Sequence, residues 1–308
     1  MTKKNYYISI ALATYNGARY ISDLLDSLLK QTRTPDEIIV VDDMSTDGTI
    51  EILNAYALKF SLIKVFQNKT NLGVNRNFEK AISLCKGDYI FICDQDDIWL
   101  SNNIEKKIET ILKMPHDEPN LVVGHTSTVN QQLQKMFSVV PSKDSQDPYE
   151  IWPNSYQGTT MCFNKNLWYY LKNWPKNFKE YPYDCYIKNI AFLYGNIYAI
   201  SNPLILYRIH NGNTSSPSTK YRGNKWNLFR RYCLTVAHLK QIQTTIQNPN
   251  NTNLKESRFN AIKYLTNNVL KANKLKLINI LGAPSFSISQ KIRLMLSSAI
   301  YQLRNKAR

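Results

Sequence analysis

Acidic residues almost vanish from the last third of this chain. Of 23 Asp and Glu in 308 residues, only Glu256 lies beyond Asn211, against 17 of the 39 Lys and Arg. The first 210 residues are therefore balanced, with 22 of each sign, and the whole excess of +16 belongs to the remaining third. That asymmetry divides the chain into a neutral part, residues 1–213, and a basic part, residues 214–308. Long apolar runs are also missing. None reaches about 18 residues, so no transmembrane helix is expected. The N-terminus enters an apolar strand pattern at Tyr7 without the apolar core and cleavage site of a signal peptide, and the expected location is the cytoplasm. Cysteines are few and scattered (Cys85, Cys93, Cys162, Cys185, Cys233), with no C-x-x-C spacing, and read as buried thiols. No G-x-G-x-x-G follows the first strand, which excludes a dinucleotide site there. A Gly-rich phosphate loop with Arg and Lys, as a nucleotidyltransferase would need, is not supplied by Thr14-Tyr15-Asn16-Gly17-Ala18-Arg19.

What is present is an alternation of strand and helix signals. Tyr7 to Ala13 is an apolar run ending in a turn-like Asn16-Gly17. Ile21, Leu24, Leu25, Leu28 and Leu29 then repeat on one helical face. Glu37 to Val41 reads as a buried parallel strand, and Ser45-Thr46-Asp47-Gly48 supplies capping residues for a helix from about Thr49. A strand at Leu62 to Phe66 precedes a helix with Phe78, Ala81, Ile82 and Cys85 inward. Asp88 to Cys93 is the next strand, followed by a helix with Ile104, Ile108, Ile111 and Leu112 inward. Repeated βα units predict an α/β fold with a doubly wound, mostly parallel sheet and flanking helices. Ile197 to Tyr207 reads as a strand pair broken at Pro203. After Asn211 a Ser/Thr/Pro-rich hinge leads into a basic extension of helical character.

Ligands in such sheets bind at the carboxyl ends of the strands. Polar clusters fall at those ends: Thr14-Tyr15-Asn16, Asp42-Asp43 and Asp94-Gln95-Asp96-Asp97. Three carboxylates at the end of a buried strand repel one another and are costly if unpaired. A hard divalent cation carrying phosphate oxygens would resolve the conflict. A solvated turn leading into a helix N-terminus, where Asp is favoured, would explain the same tetrapeptide.

Taken in order, Thr14-Tyr15-Asn16, Val41-Asp42-Asp43, Asn71-Leu72-Gly73 and Asp94 to Asp97 resemble the inverting glycosyltransferases of family 2. The likeness runs from Tyr7 to Asn213, and Asp94 to Trp99 is similar to the bacterial rhamnosyltransferase subgroup. The resemblance implies the GT-A fold, a nucleoside-diphosphate-sugar donor and Mg²⁺ or Mn²⁺. It places Thr14, Tyr15 and Asn16 around the nucleobase, with Asp43 hydrogen-bonding the base. Asn71 and Gly73 would belong to a loop that closes on the nucleotide, Arg76 would be a phosphate contact, and Asp94 would lie near the ribose and donor sugar. Asp96 would be the metal ligand with Asp97 beside it, and His210 would complete the metal site. Arg208 would face the diphosphate. Gln157 and Gly158 would form the acceptor-side loop, and Asp184 would be the catalytic base, although the chain shows Tyr183-Asp184-Cys185 where many members show Glu-Asp or His-Asp-Trp. The implied reaction is a single inverting displacement that transfers one sugar, rhamnose from its dTDP carrier, to a saccharide or lipid-linked acceptor. A UDP-linked hexose or N-acetylhexosamine is the alternative donor.

The basic extension admits three readings: nucleic-acid binding, attachment to anionic lipid, or a solvated face. Tyr221, Trp226, Phe229 and Tyr232 lie among Arg222, Lys225, Arg230 and Arg231, a mixture typical of membrane interfaces. Ile292, Met295, Leu296, Ala299, Ile300 and Leu303 form an apolar stripe beside Lys291, Arg293 and Arg304. The expected partner is the anionic inner leaflet of the cell membrane, with peripheral association and no nucleic acid.

Overall fold

Seven consecutive residues, Ile8–Thr14 (β1), are buried without a break. That pattern requires cover on both faces, and a parallel strand inside an α/β layer has it. Ile8, Ile10 and Leu12 share one apolar cluster with Leu24, Leu25 and Leu28 of α1 (Ile21–Leu29) and with Ile104, Ile108 and Ile111 of α4 (Asn103–Ile111). The alternate residues Ala11 and Ala13 are buried outside that cluster. α3 (Val74–Leu84) packs across β1 and β2 (Glu37–Asp42), with Phe78, Ala81 and Ile82 buried. The computed structural model describes residues 6–137, 143–147, 151, 156–172, 174, 182–213 and 256.

β1 pairs in parallel with β2 on one side and β4 (Tyr89–Asp94) on the other, and β2 pairs in parallel with β3 (Ile63–Gln67). The α2 helix, Thr49–Lys59, links β2 to β3. The order of the first four strands is thus β3-β2-β1-β4, which reverses direction between β1 and β4 and opens a crevice at their carboxyl ends. The second half of the sheet is mixed. β8 (Cys162–Asn164) runs antiparallel to both β4 and β6 (Asn120–Val129). β9 (Asn196–Arg208) runs parallel to β6 and antiparallel to β5 (Ile98–Trp99), and β7 (Lys135–Phe137) pairs with β6. This is a mixed α/β sheet with flanking helices, the layout that the sequence resemblance implies.

The predicted strand pair at Ile197 to Tyr207 is one thirteen-residue strand. Its pairing with β6 jumps from Gly124↔Ile200 to Thr126↔Ile205, so Ser201 to Leu204 stand out of register as a bulge. Pro203 has no N–H to give to a ladder, and a bulge is where a strand tolerates it. Two helices complete the layer, α5 (Lys165–Leu171) and α6 (Tyr183–Tyr194). Cys93 and Cys162 are buried, Cys85 and Cys185 half-buried, and all four are free thiols.

The chain divides into two units, Met1–Ala191 with Gly195–Asn213, and Phe192–Tyr194 with Thr214–Arg308. The first carries the sheet and the crevice. Residues Tyr221 to Tyr232 and Ile292 to Leu303, the segments expected to dock on a membrane, lie outside the described residues. Among the described residues no helix is long and apolar enough to cross a membrane.

Candidate active site

The crevice begins where β1 and β2 end. Thr14 Oγ1 donates to Asp42 Oδ1 at 2.9 Å, and Ser45 donates to Asp42 through both its backbone N–H and its hydroxyl. Asn16, in the left-handed region at φ 49°, accepts the Thr46 N–H on Oδ1 at 2.8 Å, and its own N–H reaches Ser45 Oγ at 2.8 Å. These contacts fasten the turn after β1 to the turn after β2.

Asp43 holds one wall of the crevice. Its carboxylate, assigned by resemblance to a nucleobase, is 2% exposed and accepts from Asn68 Nδ2 at 2.7 Å, Leu72 N at 2.8 Å and Gly73 N at 2.8 Å. Asp43 therefore anchors the Asn71-Leu72-Gly73 loop, whose Asn71 Oδ1 also accepts from Gly73 N. Gly73 adopts φ +80° at the start of α3, a conformation that glycine alone enters without cost. The residues flanking this network, Tyr15, Met44 and Leu72, are 48%, 49% and 45% exposed and form an apolar rim. Arg76 pairs with Glu79 one turn along α3.

Across the crevice stands the Asp94 to Asp97 segment. Gln95 reaches back to Tyr15, accepting its N–H and donating to its carbonyl. A Cβ on Gly17 would come within 2.4 Å of Gln95 Oε1, so glycine is needed for that approach. Asp96 Oδ2 meets His210 Nε2 at 2.8 Å and accepts from Asn213 Nδ2 at 3.1 Å. The Gly212 N–H donates to His210 Nδ1, so Nε2 carries the ring proton toward Asp96. Asp97 is fully buried; Oδ1 accepts the Arg208 N–H at 3.2 Å, while Oδ2 has no partner among the described residues.

Burial, and then the neighbouring Asp96 charge, push the Asp94 carboxyl up to about 7. The same two causes hold Asp97 well above the usual carboxylate range. The sequence foresaw acidic groups crowded at one strand end, and here the Asp96 charge adds to burial in raising the proton affinity of Asp94 and Asp97.

Arg208 lies beneath this segment. It is 3% exposed, and its guanidinium donates to the Asp96 carbonyl, the Gln131 carbonyl and Asp23 Oδ2, while stacking 4.7 Å from the Tyr20 ring centroid. These partners are all protein groups, and through the Asp96 carbonyl and the Asp97 carboxylate Arg208 secures the turn that carries both acids.

The residues expected on the acceptor side lie near Tyr183. Its hydroxyl donates to Asp94 Oδ1 at 3.1 Å, its ring stacks on Phe78 at 4.0 Å, and its N–H reaches Asn75 Oδ1 at 3.0 Å. A Cβ on Gly158 would lie 2.0 Å from that hydroxyl. Gln157 enters through its carbonyl, which accepts from Thr160 N–H and hydroxyl. Asp184 sits in the first turn of α6, close enough to Asp94 to raise that group's proton affinity. Burial raises Asp184's own pKa, opposed by the Lys188 charge. Asn213 and Asn77, whose amide bridges the Val41 and Thr14 carbonyls, carried no sequence signal, and Tyr183 entered only as the neighbour of Asp184. Only their contacts reveal them.

Comparison with known proteins agrees with this architecture. The family model "Glycosyl transferase family 2" matches residues 9–173, more than half of the chain. The chain belongs to glycosyl transferase family 2. Glycosyltransferase GlyG of Streptococcus pneumoniae is 31% identical over 137 residues, 44% of each protein. Several of the curated relatives are matched over less than half of their length, down to 27% for an uncharacterized protein of Mycobacterium bovis. In fold, the chain is similar to Staphylococcus aureus TarS 1–349 in complex with UDP-GlcNAc (TM-score 0.65, 18% identity, covering 98% of this chain and 92% of that one). It is also similar to the mannosyltransferase PcManGT of Pyrobaculum calidifontis in complex with GDP-Man and Mn²⁺ (TM-score 0.55, 17% identity, covering 99% and 77%).

Proposed function

We propose that this chain is a metal-dependent, inverting glycosyltransferase that moves one sugar from a nucleoside diphosphate to an acceptor hydroxyl. The observation that carries the reading is the Asp96–His210 contact at the reversal point of the sheet, set among the raised carboxyls of Asp94 and Asp97. The exposed rim of Tyr15, Met44 and Leu72 offers faces for a nucleobase, beside the turns that Asp42 and Asp43 hold.

The residues fit a divalent cation of the hard, oxygen-seeking kind. Among the described residues no three His, Cys, Asp or Glu groups form a complete cage. Mg²⁺ or Mn²⁺ in a nucleotide site needs only one or two protein ligands, the remainder coming from phosphate and water. Asp96 would hold it with His210 alongside, and Asp97 buried behind. Bound there, it would neutralise charge on the departing diphosphate. Asp184 is the proposed base. A carboxyl whose proton affinity burial has raised is better suited to take a hydroxyl proton than an ordinary exposed one. One displacement suffices, and no covalent intermediate is formed.

The likeness of Asp94 to Trp99 to rhamnosyltransferases favours dTDP-rhamnose as donor, and the UDP-GlcNAc bound by TarS supports a UDP-linked N-acetylhexosamine as the second reading. The proposed acceptor is a saccharide or lipid-linked glycan of cell-surface polysaccharide assembly. The basic residues after Asn211 would hold the enzyme to the anionic inner leaflet, and co-sedimentation of the full chain with anionic vesicles tests this.

The deciding experiment is differential scanning fluorimetry with Mn²⁺ and dTDP, UDP, GDP or CMP, on wild type and Asp96→Ala. Stabilisation by one nucleoside diphosphate, lost in the variant, is the expected result. A wild-type melting temperature unmoved by all four would sink the reading.

A further inference from the structure

We propose that Tyr183 is a positioning residue, whose hydroxyl on Asp94 fixes how that carboxylate meets the sugar-bearing end of the donor. The inference rests on the glycosyltransferase reading and adds to it a residue outside the implied site.

The argument starts from how heavily one phenol is constrained. α3 holds it twice, through the Phe78 ring stacked at 4.0 Å and through Asn75 Oδ1, which accepts the Tyr183 N–H at 3.0 Å. The turn at Gly158 lies so close to the hydroxyl that no side chain fits between them. The fourth contact is the hydroxyl's own, donated to Asp94 Oδ1 at 3.1 Å. A buried tyrosine hydroxyl needs a partner. Here the partner is one oxygen of a carboxylate at the mouth of the crevice. With Oδ1 tied, the carboxylate cannot turn freely about its last torsion, and its remaining oxygen is presented in a fixed direction.

The strand order says which part of a donor that oxygen serves. Thr14, Asp42 and Asp43 stand at the ends of β1 and β2, whereas Asp94 ends β4, the next strand over. Beyond it come the Gly158 turn and β8. A donor with its base on the β1–β2 side and its phosphates at Asp96 and His210 directs its sugar toward Asp94. Asp184 follows Tyr183 directly in sequence, so the same anchor sets where the base-bearing helix begins. Tyr183 itself is 7% exposed and acts through Asp94 rather than on the sugar.

The test is isothermal titration of the full chain, with Mn²⁺, by two pairs of probes: UDP with UDP-GlcNAc, and dTDP with dTDP-rhamnose. Tyr183→Phe keeps the ring and removes the hydroxyl. It should leave diphosphate affinity within about twofold and weaken the matching sugar nucleotide about tenfold, the scale of one hydrogen bond. Asp94→Asn should show the same selective loss, and the double variant should be no weaker than Asp94→Asn alone. Gly158→Ala, which displaces the phenol without removing its hydroxyl, should reproduce the selective loss. Equal losses for diphosphate and sugar nucleotide, no loss, or additive losses in the double variant would overturn the inference alone. A wild type that binds none of the four probes refutes the dTDP- and UDP-donor readings, and the inference goes with them.

Discussion

Gln95 and Tyr15, eighty residues apart, exchange two hydrogen bonds: Gln95 Oε1 accepts the Tyr15 N–H at 2.8 Å and Gln95 Nε2 donates to the Tyr15 carbonyl at 2.9 Å. A side-chain amide here imitates a strand partner and clasps the loop after β1 to the loop after β4. Gln95→Glu keeps one acceptor and loses the donor. It should lower stability by about 1 kcal/mol and weaken nucleotide binding, because the rim residue Tyr15 loses its fixed backbone. Urea denaturation and nucleotide titration measure the two effects. Unchanged values in both would show that the clasp carries no function.

Asp43→Asn should be more damaging. All three donors that face this carboxylate come from the protein, and the amide replaces one acceptor oxygen with a further donor. The expected cost is on the order of 2 kcal/mol, the range for hydrogen bonds to a charged group. Amide hydrogen exchange at Leu72 and Gly73 should accelerate with it. Normal protection there would mean that the loop holds its shape without Asp43.

Arg208→Lys tests whether Arg208 is a brace. Lysine cannot reproduce three donations from a planar fork, and removing the guanidinium leaves Asp23 and the Asp96 and Gln131 carbonyls short of donors. A loss of about 1 to 2 kcal/mol is expected from the carbonyl hydrogen bonds that lysine cannot restore, since Asp23 is 55% exposed and lysine keeps the charge. A variant of wild-type stability with impaired diphosphate binding would return Arg208 to the role that the sequence resemblance gave it.

Lys107 links stability to pH. It lies fully buried on α4, 5.8 Å from the Phe91 ring centroid and 5.6 Å from that of Trp99, and its Nζ has no hydrogen-bond partner among the described residues. Burial pushes its pKa down to about 7, while burial keeps the nearby Cys93 and Cys162 thiols protonated. Between that value and the ordinary 10.5, the unfolded chain holds a proton that the folded chain does not. Stability should therefore rise with pH across this window and fall as pH drops through about 7. Lys107→Met should remove the rise and add on the order of 3 kcal/mol near neutrality. Denaturation midpoints from pH 6 to 10 test this, and identical profiles for the two proteins would refute it.

The strand ends were legible because their signals are local. A buried strand closing on Asp42-Asp43 or on Asp94 to Asp97 carries its chemistry within a few residues. The helices at Ile21–Leu29 and Asn103–Ile111 follow from apolar spacing alone. What those residues touch could not be read in the same way. The loop that Asp43 holds lies 29 and 30 residues further on, so no local signal joins them. Arg208 meets Asp23 across 185 residues, a contact that no spacing announces. Pro203 suggested a break between two strands, since a bulge in a long strand and a turn between short ones leave the same mark in sequence.

The late position of β9 governs when the crevice becomes complete. Asp96 is made 114 residues before His210, and the strand that delivers His210 also pairs with β5, which begins at Ile98. A nascent chain that has emerged only as far as α6 therefore has its carboxylates synthesised and lacks their imidazole, their Asn213 amide and the Arg208 contacts. Contacts of such long sequence separation form late. Ribosome-bound intermediates would then be inert toward nucleotide, and competence would arrive in a single step with the emergence of residues 208–213.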